Sequence, residues 1–267
     1  MASFKYDVLG IGNAIVDVIA FTEDDFLLSH DLAKGSMLLI DEAQAEKLYQ
    51  SMGPATIISG GSAANTIAGV ASLGGSASFI GKVREDALGQ AFTHDIRATG
   101  VHFESRPASM GPATARSFIL VTPDGERTMN TFLGACQNLG SDDIDLHTVE
   151  QAAVTYLEGY LWDPEAAKDA FRKAASIAHA AGRKVSLTLS DGFCVDRYRD
   201  EFRALITNGT IDILFANEHE LKSLYTTSDF DSAIKALHEE GPLAVVTRSS
   251  AGSVVVDHDG VIAVPAE

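Results

Sequence analysis

Short apolar runs alternate with longer amphipathic ones along most of this chain, and that rhythm narrows the fold more than any single motif. The runs at residues 6–11, 77–80, 154–157, 185–189, 211–215, 243–247 and 253–256 have the length and composition of strands. Between them, residues 65–73, 88–99 and 165–181 read as helices that stop at Gly74, Gly100 and Gly182. Such alternation implies a mainly parallel sheet covered by helices on both faces. A further strand is expected to end at Ile57 and Ile58, parallel to its neighbours in the same sheet, so that the glycine turn after it lies along the same edge.

Two segments break the rhythm. Residues 14–40 alternate apolar positions around acidic turns. Residues 112–133 read as a β-hairpin with arms at 114–122 and 127–132. Its turn is Pro-Asp-Gly, where Pro123 presets φ and Gly125 accepts a positive one. Both segments are assigned to a small β-rich lid, and residues 1–13, 41–111 and 134–267 to the α/β body.

Composition excludes several classes. A net charge of −17 argues against a nucleic-acid backbone as partner, while leaving room for a phosphorylated small molecule held by local cations and backbone N–H groups. No apolar run is long enough to span a membrane, and Met1–Asp7 lacks the features of a secretory leader. Two cysteines, Cys136 and Cys194, form no framework and read as reduced thiols of a cytoplasmic protein. Gly10–Ile15 is not a dinucleotide fingerprint, since Ile15 stands where the third glycine belongs, and no Walker A loop or nucleophile elbow occurs.

Three stretches carry candidate chemistry. In "NAIVD", Asp17 follows the first strand, with Asn13 just before it. In "ISGGSAANT", Gly60 and Gly61 occupy a strand-to-helix turn that Asn65 follows. Paired glycines there need an unusual dihedral or a close approach by something. In an open α/β sheet, ligands bind beyond the carboxyl ends of the strands. There Asn13, Asp17, Gly60, Gly61 and Asn65 would converge, and a carboxylate with two amides suits a polyhydroxylated ligand. In "DILFANEHEL", Asn217 and Glu220 share a helix face. They serve either as a helix cap or as a holder of waters around Mg²⁺. "VVTRSSAG" ends a strand in Thr247 and a turn at Gly252, either an ordinary turn or the wall of a nucleotide pocket.

Together, "GNAIVD", "GGSAANT", "GKVREDALG" followed by "ATGV", and "DILFANEHE" resemble the ribokinase-like, or PfkB, carbohydrate kinases, in their order and spacing, over about residues 6–264. The "GNxxxD" opening and Thr66-Ile67 after the Asn of "GGSxxN" favour a nucleoside kinase of the adenosine kinase type. The resemblance implies a three-layer α/β/α fold with a small β lid, ATP and Mg²⁺ as cofactors, and phosphorylation of a purine nucleoside at its 5′-hydroxyl in purine salvage. It implies that Asp17, Asn13, Gly61 and Asn65 hold the ribose. Asn217 and Glu220 would organise Mg²⁺ and the ATP phosphates, Glu220 through water, and Thr247 and Gly252 would approach the nucleotide. Phe118, Phe132, Leu133 and Tyr160 are candidates for the slot that takes the base, or for the core. The alternatives are a sugar kinase acting on fructose or ribose, an inactive nucleoside-binding module, and a purely structural reading in which the glycine turn serves only tight packing; a monomer or a homodimer fits each. Arg84, Thr188 and Ser249 depart from residues common in the family. No "GAGD" loop occurs, so the expected catalytic Asp lies beyond Glu267 and the chain is expected to be part of a longer enzyme whose missing helices leave apolar sheet surface exposed.

Overall fold

The structure, a computed structural model, describes residues 4–266. The first residues of the stretch read as lacking a leader, and Glu267, lie outside them. Thirteen strands are present among the described residues: β1 Tyr6–Ile11, β2 Ile15–Phe21, β3 Met37–Leu39, β4 Thr56–Gly60, β5 Ala77–Ile80, β6 Ala115–Val121, β7 Arg127–Phe132, β8 Ala152–Glu158, β9 Lys184–Thr188, β10 Ile213–Asn217, β11 Leu243–Thr247, β12 Ser253–Asp257 and β13 Gly260–Val264.

Eight of them form one sheet in the order β13-β12-β11-β10-β9-β8-β1-β5. From β5 to β11 every pairing is parallel; β12 and β13 return antiparallel at one edge. Parallel strands buried on both faces need apolar side chains pointing both ways, which is why these runs are continuous rather than alternating. One face packs the largest core, where helices Glu165–Ala180, Gly192–Thr207, Glu218–Leu224 and Phe230–Glu240 meet Leu9, Leu187, Leu214 and Val246. On the other, helices Ser62–Ser72 and Ala87–Ala98 cover Phe79 and Tyr156. Beyond Tyr156 that face carries Phe215 and Leu243, both exposed, as are Val261, Ile262 and Val264 of the edge strand.

The other five strands form a second sheet, β3-β7-β6-β2-β4. β6 and β7 are the hairpin read from the sequence, and Gly125 adopts φ +85° in its turn. The register puts Val18, Ala20, Phe118 and Leu120 on one face, packed with Leu27, Ala45 and Leu48, while Val16 of the same face joins the cluster of Ala63, Ile67 and Phe92. One expectation fails. β4 does not join the large sheet; it lies antiparallel to β2, with Ile15 opposite Gly60 and Asp17 opposite Ile58. The glycine turn is therefore where the chain leaves the small sheet for the first helix of the large layer. Likewise the three residues between β1 and β2 carry the chain from the large sheet into the small one. Asn13 lies on the first crossing and Gly61 on the second.

Candidate functional site

Both crossings are closed by close approaches within the protein. A Cβ on Gly60 would fall 2.2 Å from the Asp17 carboxyl carbon. Gly61 has φ +97°, and a Cβ there would fall 2.5 Å from the Asn13 carbonyl oxygen. The chain's own packing therefore already requires both glycines, and Gly61 also lines the cavity described below. Gly60 is buried beneath Asp17, and Gly61 lets the second crossing pass the first.

Asp17 is the exceptional group. It sits on the open face of the small sheet, half-buried, and makes no hydrogen bond or ion pair among the described residues. Loss of water alone pushes its pKa from 3.8 to about 6. Its neighbours on that face are Ile15, Ile119, Met129, Met37 and Leu39, with Ser117 bonded to Thr131 at 2.8 Å. An unpaired carboxyl on an apolar sheet face is destabilising unless something else satisfies it.

That face lines a cavity of about 790 Å³. The opposite wall comes from the large layer: Asn65 on the first turn of helix Ser62–Ser72, Glu158 at the end of β8, Tyr160, and residues 190–197 at the start of helix Gly192–Thr207. Asn65 is exposed and its side-chain amide has no partner among the described residues. Four of the five sugar-binding candidates, Asn13, Asp17, Gly61 and Asn65, therefore share one cavity, and Gly60 supports it from below. Leu133 and Tyr160 also line it, whereas Phe118 and Phe132 are core on the far face of the small sheet. The apolar lining comes instead from β3, Ile119, Met129 and the exposed Phe193.

The nucleotide candidates lie further along the same sheet edge. Asn217 ends β10 directly opposite Thr247 at the end of β11. Asn217 caps helix Glu218–Leu224: its Oδ1 accepts from the Glu220 N–H at 2.8 Å, while its own N–H and Nδ2 donate to the two Glu220 carboxylate oxygens at 2.9 and 2.6 Å. Cap and candidate ligand are thus the same arrangement. Each oxygen of the buried Glu220 accepts one hydrogen bond from Asn217 and keeps a further lone pair, so the carboxylate fits a hydrated cation such as Mg²⁺. Asp191, which lines the cavity, adds to the burial that raises the Glu220 pKa, so the two regions adjoin electrostatically. Gly252 has φ +85°, and a Cβ would fall 2.0 Å from the Val264 carbonyl, a need set by the β12–β13 hairpin. Ser249 adopts φ +52°, a glycine-like conformation held by a serine.

Residues 42–267 match the model of the pfkB family carbohydrate kinases. The chain belongs to that family. Two solved structures superpose on nearly all of it. The adenosine kinase from Sinorhizobium meliloti is 58% identical, with a TM-score of 0.91 over 98% of this chain and 80% of that one. A probable sugar kinase from Rhizobium etli is 52% identical, with a TM-score of 0.92 over 99% and 80%. Among curated proteins, the probable chloroplastic fructokinase-6 of Arabidopsis thaliana is 29% identical over 72% of this chain. The chain spans about half the length of that relative, 52%.

Two site residues of this pfkB-family chain were not singled out from its sequence. Glu158 follows an apolar run and reads as a strand end; its partners are 95 and 145 residues away, so no local pattern marks it. Asp191 lies in "SDGF", which has no motif of its own, yet its side chain caps helix Gly192–Thr207 at the cavity wall by accepting from the Phe193 N–H at 2.6 Å. For the cap at Asn217 the expected result is conventional: Asn217→Ala lowers stability by about 1–2 kcal/mol, read as a fall in melting temperature.

Proposed function

We propose that this chain forms the substrate- and nucleotide-binding part of an ATP-dependent kinase that phosphorylates the 5′-hydroxyl of a purine nucleoside, adenosine foremost. The observation that carries the reading is Asp17, a carboxyl with no partner among the described residues, facing a cavity large enough to take a nucleoside, which the free amide of Asn65 also lines. An ionised carboxyl accepts from both hydroxyls of a ribose cis-diol and so recovers the hydrogen bonds that its burial removed. Asn13 contributes its Oδ1, because its Nδ2 is engaged by Glu158 at 2.8 Å. The base lies against Met37, Leu39, Ile119 and Met129, which offer area without polar demands. The small sheet then acts as a lid that excludes water.

ATP is placed along the ends of β10 and β11, near Asn217, Glu220, Thr247 and Gly252. Asn217 and Glu220 would hold Mg²⁺ there, and when bound it would supply charge neutralisation at the phosphates. What this chain's own residues do is bind the acceptor, orient its ribose and keep the ordered cap at Asn217 facing the nucleotide. Two buried thiols, Cys136 and Cys194, without a disulfide fit a reducing, cytoplasmic setting. Among the described residues no helix is long and apolar enough to cross a membrane.

A second reading, a hexose or pentose kinase on the same scaffold, is supported by the 52% identity to the probable sugar kinase. Thermal shift with adenosine, guanosine, inosine, ribose and fructose separates the two. At a hundredfold excess over Kd a ligand adds about 2.7 kcal/mol, or roughly 5–10 °C for a chain of this size. Adenosine is expected to give that shift and fructose none; a shift with fructose alone selects the sugar kinase. A shift with no member of the panel removes both.

A further inference from the structure

Glu158 is fully buried, has no cation beside it among the described residues, and accepts three N–H bonds from two separate parts of the chain. The Asn13 backbone N–H and Nδ2 reach its Oε2 at 2.6 and 2.8 Å. The Ala63 N–H reaches its Oε1 at 2.9 Å. Asn13 belongs to the crossing from the large sheet into the small one. Ala63 belongs to the first turn of helix Ser62–Ser72, whose N-cap is Gly61 and therefore has no side chain with which to cap itself. One carboxylate thus caps that helix from another strand and fastens the first crossing to it. Gly12 is part of the same arrangement: a Cβ there would lie 2.9 Å from Glu158 Oε2 and 2.7 Å from the Ala63 methyl. The glycine admits the carboxylate to the junction.

What hangs from the two fastened points is the binding pair. Asp17 lies four residues beyond Asn13, and Asn65 lies two beyond Ala63. The two side chains come from different sheet systems, and among the described residues no hydrogen bond joins them directly. We infer that Glu158 is a positioning residue, which sets the separation of Asp17 and Asn65 by bridging the inter-sheet crossing to the helix N-terminus. The inference rests on the proposed reading for its consequence, nucleoside binding, but the bridge itself is independent of any ligand.

Two acceptor oxygens are needed for the bridge, and an ionised carboxylate supplies both. Burial raises the Glu158 pKa, and the donors from Asn13 and Ala63 oppose it. The isosteric amide has one acceptor oxygen and one NH₂, so whichever way it turns it presents a donor to a donor.

The test uses the intact chain with Glu158→Gln, and Glu158→Asp as a second variant that keeps the charge if the amide prevents folding. Hydrogen exchange without ligand reads the bridge: the expected result is lost protection at the Asn13 or the Ala63 amide, spreading to residues 12–17 and 61–66. Unchanged protection at both amides overturns the inference. Calorimetric titration with adenosine reads the consequence: Glu158→Gln is expected to weaken binding tenfold or more in the wild-type background. In an Asp17→Asn background it should weaken it much less, because the misplaced carboxylate is already gone. Equal fold-losses in the two backgrounds, with a lowered melting temperature, make Glu158 a structural brace only and overturn the positioning role. If the parent chain binds no adenosine, the nucleoside reading fails, and the exchange measurement still decides the bridge.

Discussion

Asp17→Asn is expected to make the ligand-free protein more stable at neutral pH while removing most of its affinity for nucleoside. Burial raises the Asp17 pKa from 3.8 to about 6 and no partner offsets it. A group whose folded pKa is raised binds more protons folded than unfolded across that window, so stability falls as pH rises from about 4 to 6. Above pH 6 the ionised side chain costs at most about 3 kcal/mol, and an uncharged isostere should recover about 1–3 kcal/mol of it. Below pH 4 both states carry the proton, and the advantage of the variant vanishes. Melting curves of the two proteins from pH 4 to pH 8 should therefore diverge with rising pH. Affinity moves the other way. Two hydrogen bonds to a charged acceptor are each worth about 1.5–3 kcal/mol, so their loss weakens binding about a hundredfold or more. In the parent protein the nucleoside should also bind progressively more weakly below pH 6, as protonation removes the acceptor. A variant that loses stability and keeps affinity would show Asp17 to be an ordinary packing residue.

Some of this was readable in the sequence because it is local. The Asn217–Glu220 cap joins residues three positions apart, and the hairpin of β6 and β7 announces its own turn. Asp17 stood out by type and place, a carboxylate two residues into an apolar alternation. The parts that were not readable depend on distant partners. A five-residue strand such as β4, with two isoleucines between polar and small residues, does not reveal which sheet it joins, since either sheet gives it apolar neighbours. The assignment turns on its antiparallel pairing with β2, some 40 residues earlier in the chain. Glu158 is hidden for the same reason. The glycine pair is the most instructive case. Its composition correctly demanded a close approach, and the chain itself supplies one through the Asp17 carboxyl and the Asn13 carbonyl. A turn that is crowded by its own chain and a turn that is bare for a substrate have the same sequence.

That distinction gives Gly61→Ala its expected effect. At φ +97° and ψ 142° the residue lies in a region that side chains avoid, at about 1–3 kcal/mol. Its new methyl would also sit 2.5 Å from the Asn13 carbonyl oxygen, a backbone atom that cannot rotate away. Relief requires the first crossing to move, and with it the Asn13 N–H that Glu158 holds. The combined cost is about 3–5 kcal/mol, a large share of the 5–15 kcal/mol typical of a folded domain. Gly74→Ala is the matched control: it has φ +90° at a helix end with nothing within 4 Å, so only the backbone penalty of about 1–2 kcal/mol applies. Denaturant unfolding of the two variants should differ chiefly by the contribution of the contact. If Gly61→Ala unfolds no more readily than Gly74→Ala, the crossings are not packed against each other. If the difference appears, adenosine affinity should fall with it, because the displaced segment carries Asp17 on one side of the contact and Asn65 on the other.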